Sequence, residues 1–317
     1  VAKITKETML ANFLGKSKPI NFIILLSLFI GLFLFTSFSL FYNDRFEFSF
    51  LFKIASSIAF FLIIFFFSNF IVSKNNLTLD NSYAFFIFTV LLSYFLSTIT
   101  TLKILIIILL YTLLLRKIYS LKSPKKILSK LFDSGFWLGV LFILEPYSAV
   151  FVVLIYAAIF LHQKTIINNL IVPIVGLLTP LIIYFTYCFW FDKLYLFTNL
   201  FYFETFHSRV LYSENNFYWV SVFIIAISVI SLFLKSPKAF SINNSFKKSW
   251  ILLIVNLTIA LFFALFIPKK NGMEFLFLIF PASVIIANGL ESVQNNLIKN
   301  VFIIMLLATA IIFPFLL

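Results

Sequence analysis

The stretch SGFWLGVLFILEPYSAVFVVLIYAAIF (134–160) can be read as one kinked helix that crosses a membrane once, or as two short helices meeting at Glu145 and Pro146. The choice decides the fold, because a single crossing would move every later loop to the opposite side. Proline biases the preceding residue away from helical geometry, which favours a reversal at Glu145. Charge gives a second test, since cytoplasmic loops of membrane proteins keep an excess of Lys and Arg. With a reversal and a cytoplasmic N-terminus, 17 of the 24 Lys and Arg fall inside and six outside, Lys53 lying within a helix. A single crossing would instead put Lys235, Lys238, Lys247 and Lys248 outside and bring Asp192, Glu204 and Glu214 in. The reversal is therefore expected, with each arm short and Glu145 recessed at its tip. Gly135 and Gly139, spaced as GxxxG, permit close approach of a neighbouring helix.

Outward from this point, apolar runs near the roughly 20 residues that span a hydrocarbon core recur from residue 20 to the end. They predict helices at about 20–42, 50–73, 83–99, 104–119, 135–145, 147–161, 169–190, 217–234, 251–267, 275–290 and 300–316. The expectation is an all-α polytopic bundle of about 11 helices, with a cytoplasmic segment at 1–19 and one transmembrane domain at 20–317. Composition agrees. The chain of 317 residues is 62% hydrophobic and 11% charged, with a mean hydropathy of +1.11, whereas soluble domains are about a quarter charged. The net charge of +13 has no soluble face on which to gather, which argues against nucleic acid as a partner. The 47 Phe follow, with Ile, Leu, Lys and Asn, from A/T-rich codons and lipid-facing bulk. A lone Cys188 cannot form an internal disulfide, and His162 with His207 cannot make a multi-histidine centre. The first apolar run is too long for a signal-peptide core, so it is expected to remain as a helix.

Acidic residues distribute against the basic ones, seven of the eleven lying outside on this topology. The first external loop, FSLFYNDRFEFSFLF (38–52), holds Asp44, Arg45 and Glu47 at the membrane surface. Apolar walls raise a carboxylate pKa toward that of a general base and a neighbouring Arg lowers it; a plain salt-bridged loop is the alternative. Glu145 is a second acid of interest, because an ionisable residue recessed in a membrane is costly. The loop FDKLYLFTNLFYFETFHSRVLYSENN (191–216) alternates aromatics with charges, as an interfacial segment does. Such a segment can roof a cavity and present His207 and Arg209 to a phosphate or sugar, or serve only as an aromatic belt. Lys269 and Lys270 lie outside against the charge rule and suggest an anionic partner such as a lipid phosphate. The chain carries no P-loop and no HExxH, and no helix centre bears a charge pair of the kind coupled transporters use.

The segment MLANFLGKSKPINFIILLSL (9–28) resembles the opening of an uncharacterised family of polytopic bacterial inner-membrane proteins, along the whole chain. That resemblance implies a bacterial inner-membrane location, with Met9 as native start and residues 1–8 as an extension. A carotenoid-cleaving oxygenase name attached to some members does not transfer, since its iron site needs four histidines. In layout the chain is also similar to C-type membrane glycosyltransferases, which use lipid-phosphate sugars. The corresponding pieces are Asp44 with Glu47, GVLFILEP (139–146), and Lys269 with Lys270 before FLFLIFP (275–281). This likeness implies a C-type glycosyltransferase-like fold, Asp44 or Glu47 as base or metal-binding group, and Lys269, Lys270 and Arg209 as holders of phosphate. Glu145 and His207 would line the same cavity. A polyprenyl phosphate carrier and membrane lipid are the implied partners; no cofactor is identified and a divalent metal is left open. Two departures are plain: the first loop is short, and Glu145 stands where that pattern has a phosphate-facing lysine. The chain is thus expected to be either a lipid-phosphosugar-dependent transferase acting on the outer face, or a non-catalytic scaffold or lipid-carrier binder of an envelope assembly.

Overall fold

The computed structural model describes residues 10–40, 48–203, 217–242, 244–268 and 272–316. Thirteen α-helices account for most of them: α1 Leu10–Leu14, α2 Pro19–Leu40, α3 Phe48–Asn75, α4 Tyr83–Ser93, α5 Leu102–Tyr119, α6 Ile127–Leu144, α7 Val152–Leu161, α8 Ile167–Trp190, α9 Leu194–Thr198, α10 Phe217–Ile242, α11 Asn244–Phe266, α12 Met273–Ser292 and α13 Asn296–Leu316. Among the described residues, nine helices are long and apolar enough to cross a membrane, and Tyr83–Ser93 and Pro146–Leu161 are shorter apolar segments. The chain is a multi-pass helical membrane protein.

Gly135 and Gly176 establish the direction of the disputed stretch. A Cβ on Gly135 would fall on the carbonyl of Pro173, one on Gly139 on Leu177 and Pro180, and one on Gly176 on Phe132. Partner numbers therefore rise together, so α6 and α8 run parallel, backbone to backbone, with an offset of about 40 residues. Two adjacent parallel helices require the chain between them to return. The 3-10 helix Pro146–Phe151 and α7 supply that return. Six residues at about 2.0 Å and ten at about 1.5 Å retrace the roughly 27 Å of the 18-residue α6. Glu145 is the break: its φ of −145° and ψ of 92° are extended, as the following proline dictates. The reversal expected from charge is present. Its first arm is longer than expected, however, because the helix begins at Ile127 instead of 135. The polar residues that hid this turn are held at the membrane edge, where Asp133 accepts from Lys117 Nζ at 2.6 Å.

Contacts between distant segments sort the loops into two ends. At one end Ser82 N–H donates to Leu14 O at 2.9 Å, and Tyr83 Oη donates to Ala11 O at 2.9 Å. Nearby, Lys235 meets Glu291 at 3.1 Å, and Lys122 Nζ donates to the Asn75 carbonyl at 2.9 Å. Lys299 lies over the Tyr83 ring. At the far end Phe217 stacks on Phe95, and Gly272 lies against Thr98 and Phe217. Gly272 caps α12 with a φ of 87°, a left-handed conformation that a side chain would strain. Residues 83–100 therefore cross the bundle despite the short α4, passing through turns and a 3-10 helix at Thr98–Thr100. Most of the described lysines gather at the first of these ends, whereas Lys103 and Lys193 stand at the far one.

The core is centred on α12, which is buried through its described length from Met273 to Leu290. Helices α4, α5, α10 and α11 pack round it, so Phe151, Phe263 and Phe277 meet ring to ring at 4.5 to 5.9 Å. The outside is the inverse, with Phe66, Phe233 and Ile182 each more than 60% exposed. Such apolar exposure suits a lipid solvent. Polar contacts also join helices within the bundle, among them Tyr111 Oη donating to Asn256 Oδ1 at 2.8 Å and Trp250 Nε1 donating to Ser236 Oγ at 3.2 Å.

Candidate functional site

At the far end the α6–α8 register leaves a step. Both helices begin level, at Ile127 and Ile167, but α8 has 24 residues and α6 has 18. Trp190 therefore projects about 9 Å beyond the tip at Glu145, and Glu145 is recessed against the flank of α8. After Trp190 the chain folds back through α9 and the 3-10 helix Asn199–Phe201 across this step. Asp192, at a φ of 52°, is the left-handed residue at the start of that turn.

The space enclosed is an open groove of about 520 Å³. Phe142 and Ala149 wall it on the two arms of the reversal, Leu177, Leu181 and Phe185 on α8, and Phe197, Phe201 and Phe203 on the fold-back. Every described lining residue is apolar. Aromatic contacts hold the roof in place: Phe142 with Phe201 at 5.7 Å, Phe185 with Phe197 at 5.1 Å, and Tyr147 with Phe203 at 5.4 Å edge to face. Glu145 lies between Phe142 and Ala149 in the chain and is half-buried. Its N–H is bonded to Leu141 O and its C=O accepts from Ser148 N. A groove of this volume and lining suits a hydrocarbon chain, and among the described residues no polar group lines its walls to orient a sugar.

Of the candidate site residues read from the sequence, Glu145 alone is described. Asp44, Glu47, His207, Arg209, Lys269 and Lys270 lie outside the described residues. The described residues that flank those segments stand at the far end of the bundle, the same end as the groove. The fold-back at 191–203 is the described half of the interfacial segment read from the sequence, and it does roof a cavity. Among the described residues no group of three or more His, Cys, Asp or Glu could hold a metal ion. The groove itself was invisible in the sequence, because its Phe and Leu are the commonest residues of an apolar chain.

A family model matches residues 9–316: DUF6427, a family of unknown function. The chain belongs to that family. No curated protein and no solved structure matches it.

Proposed function

We propose that this DUF6427 protein is a lipid-binding membrane protein that holds the hydrocarbon chain of a phosphate-bearing lipid in the groove between α6, α8 and the fold-back at 191–203. The observation that supports it is a groove, apolar at every described lining residue, that opens beside a recessed carboxylate at the far end of the bundle. On the positive-inside rule the lysine-rich end faces the cytoplasm and the groove opens on the outer face of a bacterial inner membrane. A polyprenyl phosphate carrier fits this reading, its chain in the groove and its phosphate held by Lys269, Lys270 or Arg209. The protein then serves as a lipid-carrier-binding component of an envelope assembly.

The second reading adds chemistry to the same site. As a lipid-phosphosugar-dependent glycosyltransferase, with a C-type-like arrangement, it would use Asp44 or Glu47 as base or metal-binding group and place His207 beside the sugar. What favours it is that the segments bearing these residues are flanked by described residues at the end where the groove opens.

Native mass spectrometry of the purified protein with undecaprenyl phosphate tests both. Retention that falls in Ala149→Phe, which fills the groove, and in Lys269→Ala/Lys270→Ala is the expected result. Retention equal to that of bulk phospholipid, unchanged by Ala149→Phe, would sink the lipid-carrier reading. Transfer of sugar from a lipid-phosphate donor, lost in Asp44→Asn, would establish the second.

A further inference from the structure

At the opposite, lysine-rich end lies a polar cleft of about 550 Å³, separate from the groove. Four stretches of chain build it: residues 11–16, Leu79–Tyr83, Glu291, and Asn296 with Lys299. They are cross-linked before any ligand arrives. Ser82 bonds both Leu14 O and Lys16 O, at 2.9 and 3.2 Å, and Asn21 Nδ2 bonds Phe13 O, Lys16 O and Ser82 Oγ at 2.8, 2.9 and 3.1 Å.

Charge within the cleft does not balance. Glu291 is occupied: one carboxylate oxygen accepts from Leu79 N–H at 2.8 Å and Asn81 Nδ2 at 2.7 Å, and the other meets Lys235 at 3.1 Å. That leaves Lys16, Lys299 and Asp80 on the walls, and among the described residues none of the three is in an ion pair. Lys299 is poised over the Tyr83 ring, 5.9 Å from its centroid. Two ammonium groups against one carboxylate, with the Asn81 and Asn296 amides beside them, leave a net positive, hydrogen-bonding hollow.

We infer that this cleft is a binding site for a phosphate anion, which Lys16 and Lys299 hold by charge-assisted hydrogen bonds. The phosphate comes either from a phospholipid headgroup of the adjacent leaflet or from a water-soluble phosphate ester. Asp80 tunes the site by opposing the lysines.

The test is native mass spectrometry of the full chain in detergent with phosphatidylglycerol, beside Lys16→Gln/Lys299→Gln, the collar control Lys125→Gln/Lys126→Gln, and Asp80→Asn. Retention should fall on the order of 30-fold in the first variant, as two lysines at a membrane surface imply. It should hold in the control and rise in Asp80→Asn. Competition by millimolar inorganic phosphate would assign the soluble source, and its absence the lipid. Equal loss in the control would reduce the cleft to a part of the general lysine collar, and wild-type retention in both Lys16→Gln/Lys299→Gln and Asp80→Asn would overturn the site.

Discussion

Lys235 Nζ lies 3.1 Å from Glu291 Oε2, an ion pair whose side chains are only 8% and 3% exposed. It ties the end of α10 to the end of α12, while the other carboxylate oxygen fastens the Leu79–Asn81 turn. Removing one member of a buried pair leaves the other charge uncompensated, at about 3–5 kcal/mol. Glu291→Ala is therefore expected to lower the unfolding temperature in detergent markedly. Lys235→Met/Glu291→Leu should recover part of that loss; a single variant as stable as wild type would mean that the pair is solvated.

The glycines of α6 and α8 make a contrast with Gly31. A methyl on Gly176 meets the Phe132 carbonyl, so Gly176→Ala must push two helices apart and is expected to destabilise by about 1–3 kcal/mol. Nothing lies within 4 Å of a Cβ on Gly31. Gly31→Ala is then expected to stabilise α2 by up to about 1 kcal/mol. Thermal unfolding of the two variants side by side checks the parallel packing.

His162 should stay neutral far below the usual histidine range. Burial first, then Lys248, Lys164, Lys122 and Lys130, push its pKa down to about 4 from 6.5. The unfolded chain binds the proton more readily, so this group's contribution makes stability rise with pH between about 4 and 6.5 and leaves it flat above. An NMR titration of the imidazole, with His207→Gln to remove the other histidine, would read the value directly; a midpoint at 6.5 contradicts the basic surroundings.

Tyr111 and Asn256 test a buried polar contact inside the bundle. Tyr111→Phe strands a buried amide oxygen and is expected to lose about 1–3 kcal/mol. The double variant Tyr111→Phe/Asn256→Leu, with both partners apolar, should lose less than Tyr111→Phe alone. A larger loss in the double variant would show that Asn256 has another role.

Topology is open to a labelling experiment in a Cys188→Ser background. Ser123→Cys and Thr165→Cys lie on either side of the reversal and are expected to react with an impermeant maleimide from the cytoplasmic side. Tyr202→Cys should react from the outer side. Labelling of Thr165→Cys and Ser123→Cys from opposite sides would restore the single-crossing reading of 134–160.

Membrane class, the order of the apolar helices and the segregation of most lysines were legible without coordinates. They depend on counts that bilayer physics imposes locally: about 20 apolar residues for a span, and basic residues kept on one side. The reversal at Glu145 and Pro146 was legible for the same reason, since proline restricts its neighbour and the lysine quartet at 235–248 rejects the alternative. Only tertiary structure decided the rest. That α6 and α8 run parallel and level at their start depends on Gly135, Gly139 and Gly176 finding one another across some 40 residues. The groove exists because those two helices differ in length, and the polar cleft because Lys16, Asp80, Glu291 and Lys299 are drawn together from both ends of the chain. Packing is a relation between distant segments, and where most residues are apolar the pattern along the chain does not say which of them will line a space.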